Sequence, residues 1–595
     1  MRDILLKPDR NRPRLEWDAD LLKGCIDSLK KTTIYTNEQA RILLIVPPYT
    51  RLQKSLQILL DNIKIQITAT IYPIEDYENI VNELSSAGIY YIEEQKRAGI
   101  PMGLLRVWTA ANKSWYDVKI LDTVYEGRNQ EVIYFQTQEK SNMLRYGLQD
   151  QEILKNIKEY RPHIVGITNN YTHQWGNAKH IIDLVKSFDK NIVVVVWGTH
   201  ASSLSENILE TSDVDYVVRG QSDKTFVELL NILTKPSKEK LSMENLPGIS
   251  YREKWVTRKT DDIRFMKEID SIAIPKLDLI NLDIYSSVYH SAGKRKLKNG
   301  KILHGFTSIW CNSSCTFCTI PKIQWPWRSM SENKLDEYLQ YIKSFRVNEI
   351  LMEDDNLLSD PQWLLSVCKK LKEYNFAWVE EGGISLGNLI ALLDNVSEEE
   401  IQGAHIGKKV LEAKRDWITA ETLIKTMAES WCYSIYLAVE TPHKESLNTS
   451  KKSILNADND NTKKIIELFK KYNIKVTCGL MFGFVNVLPD WKLYIESREQ
   501  IKQTFERAKE IKKIGSDYIN FFIVTPLPGS KNFQELGNLV PENTDEAYSH
   551  EFGNISAPNG EWTKDELTLL RVKGIIETIG IDGYMQMINS WTRPI

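Results

Sequence analysis

Short apolar runs alternate with amphipathic helical patterns along most of this chain, and this alternation constrains its fold more than any other feature. In the first part, five runs rich in branched apolar residues occupy 41–49, 116–122, 163–168, 192–197 and 214–218. Strands of such composition are buried on both faces, which requires helices on both sides of their sheet. The alternation therefore predicts an α/β fold with a doubly wound parallel sheet.

The second part of the chain repeats the alternation and predicts another parallel sheet. Its six apolar runs occupy 304–310, 348–353, 376–380, 433–440, 474–480 and 518–524. Repeated strand and helix units close into a whole or partial barrel, and the residues that follow the strands collect at its C-terminal mouth. Several of these residues are acidic or glycine, which favours a ligand-binding mouth. For any one acidic residue, capping of the next helix is an equally good interpretation.

Three of the seven cysteines, Cys311, Cys315 and Cys318, lie in one short segment. Thiolates at such spacing suit zinc or an iron-sulfur cluster. A structural zinc site needs a fourth ligand, but no Cys or His follows within twenty residues, and the nearest one upstream is His304. A cluster held by three cysteines leaves one iron open to a substrate or cofactor. The alternatives are zinc with a distant fourth ligand, or a disulfide with a free thiol, which the odd cysteine count disfavours.

Composition excludes several classes of partner. The chain has 595 residues, 42% hydrophobic and 26% charged, as in ordinary soluble proteins of several domains. Its net charge of -3 is spread without a basic stripe, so we expect no nucleic-acid partner. No long uncharged apolar window or secretory leader is present in the sequence, so we expect no membrane span and a cytoplasmic location.

The cysteine segment, with Phe317 before its last cysteine, resembles the signature of the radical S-adenosylmethionine (SAM) superfamily. The preceding sheet resembles the cobalamin-binding domain that stands before the barrel in cobalamin-dependent members of that superfamily. Pro47-Pro48 after the first strand, Gly-x-His at 198–200 and Val-Val-Arg-Gly at 217–220 match that domain in order. No G-x-G-x-x-G follows the first strand, which disfavours a nicotinamide or flavin dinucleotide.

The resemblance covers 41–535 and implies a specific architecture. A Rossmann-like cobalamin-binding domain at 41–235 is followed by a linker at 236–300 and a partial TIM-type (β/α)6 radical SAM barrel at 301–535. We also expect an N-terminal extension at 1–40 and a small helical C-terminal region at 536–595. The segment 384–417 is longer than a crossover between strands requires, and we interpret it as an insertion.

The resemblance also implies three cofactors: a [4Fe-4S] cluster, SAM and cobalamin. The implied cluster ligands are Cys311, Cys315 and Cys318. The implied SAM contacts are Phe317, Glu353, Asp354, Asp355, Asn356, Glu381, Glu440 and Pro526. The implied cobalamin contacts are Pro47, Pro48, Tyr49, Thr168, Asn169, Gly198, Thr199, His200, Gly220 and Gln221.

Two departures from the family concern cobalamin. Gln221 stands where the family usually has Glu, and the D-x-H-x-x-G motif that supplies a histidine to cobalt is absent from 1–235. His173 and His200 are therefore not expected as axial ligands. The resemblance then implies that the lower cobalt face is open or water-bound.

The implied activity is methylation of an unactivated carbon in a small natural-product intermediate or peptide, through a 5'-deoxyadenosyl radical and methylcobalamin. An electron donor such as flavodoxin or ferredoxin is implied as a partner. A second interpretation is radical oxidation, cyclisation or ring contraction without methyl transfer. A remote third is a cobalamin sensor, without catalytic activity, that holds a structural zinc. No catalytic residue is assigned, and the sequence does not identify the substrate.

Overall fold

The computed structural model describes residues 40–65, 69–96, 99–234, 242–253, 256–260, 269–288, 301–320, 327–540, 547–549 and 551–592. In chain order, its strands are β1 (Arg41–Val46), β2 (Tyr49–Ser55), β3 (Tyr91–Glu93), β4 (Asp117–Asp122), β5 (Glu131–Gln136), β6 (Asn142–Tyr146), β7 (Ile164–Thr168), β8 (Val193–Trp197), β9 (Tyr216–Val218), β10 (Ile249–Glu253), β11 (Val256–Lys259), β12 (Lys301–Gly305), β13 (Ser308–Ile309), β14 (Arg328–Ser329), β15 (Val347–Met352), β16 (Ala377–Ser385), β17 (Cys432–Glu440), β18 (Lys475–Phe482), β19 (Val485–Val487), β20 (Leu493–Ile495) and β21 (Tyr518–Ile523).

The α-helices, also in chain order, are α1 (Leu56–Ile65), α2 (Ile74–Ser86), α3 (Met102–Lys113), α4 (Thr123–Glu126), α5 (Asp150–Tyr160), α6 (Trp175–Phe188), α7 (Thr199–Ser203), α8 (Ser205–Thr211), α9 (Ser222–Thr234), α10 (Leu282–Val288), α11 (Glu332–Ser344), α12 (Pro361–Glu373), α13 (Leu386–Ala391), α14 (Glu398–Ile401), α15 (Lys408–Arg415), α16 (Ala420–Glu429), α17 (Lys444–Thr449), α18 (Asn459–Lys471), α19 (Arg498–Ile514), α20 (Lys531–Leu536) and α21 (Lys564–Thr592). In the part of the chain covered here, no helix is both long and apolar enough to cross a lipid bilayer.

The N-terminal sheet has seven strands in the order β11-β10-β9-β8-β7-β1-β4. Strands β4, β1, β7, β8 and β9 run parallel, and the hairpin β10-β11 continues the sheet in antiparallel fashion. Alternate residues of β1 enter two separate apolar cores, with Ile42 and Leu44 on one face and Leu43 and Ile45 on the other. Burial on both faces confirms the predicted doubly wound α/β sheet.

A four-stranded antiparallel sheet of order β3-β2-β6-β5 is inserted after β1, and the sequence analysis did not predict it. Buried charged side chains connect its strands. The Arg51 guanidinium donates hydrogen bonds to Glu93 and Glu131, and it is only 4% exposed. Lys54 lies 2.9 Å from Glu139 in the turn between β5 and β6. Paired charges from distant parts of the sequence therefore help to fix the register of this sheet.

The second large sheet has six parallel strands in sequence order, β12-β15-β16-β17-β18-β21. This curled sheet confirms the predicted partial (β/α)6 barrel. Glycine is required at position 479 in β18, because a Cβ atom there would lie 1.7 Å from the hydroxyl of Tyr436 on the neighbouring strand. The segment 384–417, predicted as an insertion, contains α13, α14 and α15 before the crossover helix α16.

The C-terminal helix α21 packs on β21 and α19 of the barrel and on α1 of the N-terminal domain. At its first turn, the Asp565 carboxylate lies 3.7 Å from the Lys54 ammonium, and Glu566 accepts a 2.8 Å hydrogen bond from the Tyr77 hydroxyl. This helix therefore joins the barrel to the antiparallel sheet.

The segment 236–300, predicted as a linker, contributes to both domains. It contains the hairpin β10-β11 of the N-terminal sheet. Its Tyr285 hydroxyl bonds to the Asp122 carboxylate at the end of β4, and its Leu277 N–H donates to the Tyr341 hydroxyl in the barrel, at 2.9 Å. The extension predicted for 1–40 lies outside the described residues, apart from Ala40.

Candidate functional site

The loop that carries the cysteines begins directly after β12, and Asp354 fixes its first turn. The Asp354 carboxylate accepts hydrogen bonds from the backbone N–H and hydroxyl groups of both Thr307 and Ser308, at 2.5–3.2 Å. Asp354 is fully buried, and burial raises its pKa to about 6. Asp354 therefore shapes the first turn of the cysteine loop, and its direct contact with SAM stays a prediction.

Further along, the cysteine loop is held by a residue after β15, by the residue that follows α17 and by α20. Asp355 accepts a 2.7 Å bond from the Trp310 N–H, and Trp310 has a φ of 72°. The Thr316 N–H donates to the Ser450 carbonyl at 3.1 Å, and the Thr316 carbonyl accepts from the Asn532 N–H at 2.9 Å. A strained tryptophan held by specific bonds is typical of a functional loop.

The three thiols lie close enough to influence one another. Burial raises the pKa of Cys315 to about 11 and that of Cys318 to about 12, and repulsion among the three sulfur atoms adds to both shifts. Cys311 Sγ accepts weak hydrogen bonds from the Ser313 N–H at 3.4 Å and the Asn356 amide at 3.6 Å. Bonds to sulfur are typical of ligands that bind iron as thiolates.

The donor set of the cysteine loop consists of three thiols. Thiolates are the usual ligands of iron-sulfur clusters, and a cluster spreads its ligands over different irons. His304, the nearest histidine in sequence that could complete a zinc site, is bonded through Nδ1 to Glu353 instead. The residues present therefore fit a cluster.

Lys452 is a charged residue of the site that the sequence analysis missed. Its ammonium lies 2.5 Å from the carboxylate of Glu440, which ends β17 with a φ of 72°. The same ammonium lies 5.7 Å from the ring centroid of Phe317, which stands between Cys315 and Cys318 in the sequence. In sequence, Lys452 follows a short polar helix and resembles any surface lysine, so no local pattern indicates this position.

The other predicted SAM contacts occupy different environments, because Glu381 lies inside β16 and the rest lie at or after the ends of β15, β17 and β21. Glu353 is exposed and bonded to the ring of His304, whereas Asn356 is buried with an amide oxygen that has no hydrogen-bond partner. Glu381 is half-buried and Pro526 is buried. Glu440 is bound to Lys452, as described above. The strand ends thus provide acidic and amide groups beside the cysteines, and their contacts with SAM stay predictions.

Beneath Phe317, a buried carboxylate supports the turn after β18. Phe317 packs against the ring of Phe484 at a centroid distance of 6.4 Å. Glu496 accepts bonds from the N–H groups of Gly483 and Phe484, at 2.6 and 3.1 Å. Glu496 is fully buried, and burial raises its pKa to about 8.

This raised pKa predicts a pH-dependent stability. The contribution of Glu496 is fully present below the unfolded value of 4.5 and is lost as pH rises through about 8. Between these values we expect the free energy of unfolding to fall by at most about 1.4 kcal/mol per pH unit. In thermal melts from pH 5 to 8, Glu496→Gln should melt at a less pH-dependent temperature than the wild type. Glu499→Gln, at an exposed position nearby, should behave like the wild type, and equal pH dependence in both variants would contradict this assignment.

The predicted cobalamin contacts follow β1, β7, β8 and β9 and lie along one edge of the N-terminal sheet. Half-exposed members of the set are Tyr49, Thr168, Gly198, Thr199, Gly220 and Gln221. Gly198 has a φ of 120°, and a Cβ atom there would lie 2.3 Å from the Asn169 carbonyl oxygen. The loops after β7 and β8 therefore approach each other closely at this edge. Pro47, Pro48 and Asn169 are buried beneath this edge.

His200 is also buried beneath the edge, only 2% exposed. Its Nδ1 lies 3.1 Å from the Thr172 hydroxyl, and its ring stacks on Trp175 at 5.3 Å. Burial lowers the pKa of His200 to about 3, so the imidazole is neutral at physiological pH. A half-buried histidine, His173, lines a partly open pocket with Tyr49, Tyr146, Tyr171 and Glu551. The edge therefore borders a pocket between the N-terminal domain and the C-terminal region.

Arg106 on α3 shows that the edges of the two sheets face each other. Its guanidinium donates two 3.3 Å bonds to Asp223, three residues after Gly220 at the end of β9. The same guanidinium lies 5.6 Å from the ring centroid of Phe306, which directly follows β12. The Arg106 side chain thus contacts both a residue close to the predicted cobalamin contacts after β9 and the start of the cysteine loop.

Comparisons with protein families identify both domains. The family model of the B12 binding domain matches residues 96–230, and that of the radical SAM superfamily matches residues 306–492. The chain is 24% identical over 521 residues to cytidylyl-2-hydroxyethylphosphonate methyltransferase of Streptomyces wedmorensis, covering 82% of this chain and 88% of that protein. It is 22% identical over 400 residues to the anaerobic magnesium-protoporphyrin IX monomethyl ester cyclase of Rubrivivax gelatinosus, covering 66% and 62%.

Among solved structures, the fold resembles that of the cobalamin-dependent SAM radical enzyme OxsB with aqua-cobalamin and SAM bound. The TM-score is 0.58 at 13% sequence identity, and the match covers 93% of this chain and 68% of that one. At this identity the likeness concerns the fold alone.

Proposed function

We propose that this chain, which combines a B12-binding domain with a radical SAM domain and is homologous to cobalamin-dependent radical SAM methyltransferases, methylates an unactivated carbon of its substrate. The substrate class we propose is a small natural-product intermediate or a peptide. The observation that carries the proposal is the contact of Arg106 with both Asp223 and Phe306. Arg106 connects the strand ends predicted to bind cobalamin with the cysteine loop. Groups bound at these two places can therefore act on one substrate carbon.

In this proposal each edge has a defined task. Cys311, Cys315 and Cys318 hold a [4Fe-4S] cluster, which supplies an electron for radical formation from SAM, while cobalamin supplies the methyl group. Glu353, Asp355, Asn356 and Glu440 bind polar groups of SAM, and Phe317 with Phe484 forms an apolar wall that excludes water. Tyr49, Gly198 and Gly220 support the corrin ring. An external donor of the flavodoxin or ferredoxin class reduces the cluster.

Radical cyclisation, oxidation or ring contraction without methyl transfer is the second candidate. The similarity to the cyclase of Rubrivivax gelatinosus favours it. That similarity covers a smaller share of this chain than the similarity to the phosphonate methyltransferase, 66% against 82%. We therefore place methyl transfer first.

The experiment that tests the proposal is anaerobic reconstitution of the full chain with iron, sulfide and cobalamin. The protein is then incubated with methyl-labelled SAM, a reductant and an extract of the host, and products are analysed by mass spectrometry. We expect a labelled product formed together with 5'-deoxyadenosine. Release of 5'-deoxyadenosine with an unlabelled, altered product would support the second candidate instead. Zinc without iron or cobalt in the purified protein would contradict both.

The burial of His200 predicts the coordination of cobalt. The ring is only 2% exposed and stacks on Trp175, its Nδ1 lies against Thr172, and its Nε2 is buried as well, so we expect that it does not bind cobalt from below. We expect His200→Gln to leave the absorption spectrum of bound cobalamin and the paramagnetic resonance spectrum of the Co(II) form unchanged. Nitrogen hyperfine splitting that is present in the wild type and absent from this variant would contradict the assignment. His173→Gln serves as the control for the half-buried histidine of the pocket.

A further inference from the structure

Lys452 is a mostly buried cation beside the cysteine loop, and the function proposed above gives it no task. Its side chain is 22% exposed, and its ammonium is held 2.5 Å from Glu440. The loop that carries it is docked on the cysteine loop, because the Thr316 N–H donates to the Ser450 carbonyl at 3.1 Å. The Lys452 N–H donates to the Leu447 carbonyl at 2.8 Å, which anchors the backbone at this position.

The position of the ammonium places a positive charge close to the cysteine loop. Lys452 lies 5.7 Å from the ring centroid of Phe317, whose neighbours in sequence include Cys318. Charges interact strongly in a site from which water is largely excluded, so this cation acts on any charge held by the three sulfur atoms.

We propose that Lys452 is a positioning residue for electron transfer, whose charge raises the reduction potential of a cluster held by Cys311, Cys315 and Cys318. Nearby charge is one of the factors that set the potential of a protein-bound cluster. The step concerned is the one-electron reduction of the oxidised cluster by an external donor, such as a reduced ferredoxin. Glu440 moderates the effect, because its carboxylate offsets part of the lysine charge. The inference rests on the proposed function in that the cysteines must hold a cluster.

The test is a redox titration of the full chain, reconstituted anaerobically with iron and sulfide and measured without SAM. Lys452→Met removes the charge and keeps the length of the side chain, Lys452→Arg keeps the charge, and Glu440→Gln removes the opposing charge. Lys451→Met, at an exposed neighbouring position, is the matched control. Iron and sulfide content are measured for every variant, and the cluster is followed by paramagnetic resonance.

At a fixed solution potential, we expect the ratio of reduced to oxidised cluster to fall at least about tenfold in Lys452→Met, which is about 59 mV for a one-electron couple. The ratio should rise in Glu440→Gln and stay near the wild-type value in Lys452→Arg and Lys451→Met. If the ion pair had only a structural role, Lys452→Met and Glu440→Gln would not change the ratio of reduced to oxidised cluster in opposite directions.

A wild-type ratio in Lys452→Met with full iron content would overturn the inference, as would an equal fall in Lys451→Met. If Lys452→Met takes up no cluster, Glu440→Gln decides, because a ratio at or below that of the wild type overturns the inference and a higher ratio supports it. A wild-type chain that takes up no iron at all would contradict the proposed function instead.

Discussion

Replacing Cys311, Cys315 or Cys318 by alanine is expected to abolish both the iron content and the activity of the reconstituted protein. Each thiolate binds a different iron, so the loss of one ligand exposes the cluster to solvent and to loss of iron. We expect less than about a tenth of the wild-type iron and a fall in activity of at least about a thousandfold. Iron analysis and the absorption of the cluster measure the first effect, and labelled product measures the second.

Cys368→Ala is the matched control for this series. Cys368 is fully buried in α12, away from the cysteine loop, so its replacement should cost about 1 kcal/mol of stability and leave the iron content unchanged. Equal iron loss in Cys368→Ala and Cys315→Ala would show that the effect comes from misfolding. Loss of zinc rather than iron from the triplet variants would favour the sensor interpretation.

Asp354→Ala is expected to have the second largest effect, because Asp354 holds the first turn of the cysteine loop. The variant leaves two backbone N–H groups and two hydroxyls at Thr307 and Ser308 without their acceptor in a buried turn. Each unsatisfied donor costs about 1–3 kcal/mol, so with four donors affected we expect a loss of at least about 4 kcal/mol of stability. Because this turn starts the cysteine loop, we also expect most of the bound iron to be lost.

Asp360→Asn is a suitable control for that variant. Asp360 is the N-cap of α12, where Asn is about as favourable as Asp, so melting temperature and iron content should stay close to the wild type. Full iron content and an unchanged melting temperature in Asp354→Ala would refute the positioning role of Asp354. Retention of iron with a large loss of stability would place the effect in the barrel rather than in the loop.

The parallel sheets could be predicted because their strands are locally distinctive. The buried run Val193–Trp197, for example, consists of four valines and a tryptophan, and only a strand covered on both faces buries such a sequence. The strand ends could be predicted for the same reason, since polar residues follow directly. The sequence could not predict which of these residues turn outward to a ligand and which turn inward. Glu353 and Asp354, for example, are adjacent in sequence, but Glu353 is exposed and Asp354 is buried.

The antiparallel sheet and Lys452 escaped prediction for a shared reason. Arg51 and Lys54 in β2 pair with acidic residues between 42 and 85 positions away, so each charge resembles a solvated residue in its local sequence. Lys452 likewise comes close to Glu440 and Phe317 only in the folded chain, where the end of β17 lies beside the cysteine loop. Buried charges that are paired across long separations carry no periodicity that a sequence pattern can reveal.

The contacts at the start of α21 bear on how the chain is synthesised. The Tyr77 hydroxyl cannot form its hydrogen bond until Glu566 is synthesised, 489 positions later. At roughly 5 to 20 residues per second, a ribosome delivers that carboxylate about 25 to 100 seconds after the tyrosine. During this interval the growing polypeptide exposes Tyr77 without its later partner, and a chaperone that shields nascent surfaces can act there.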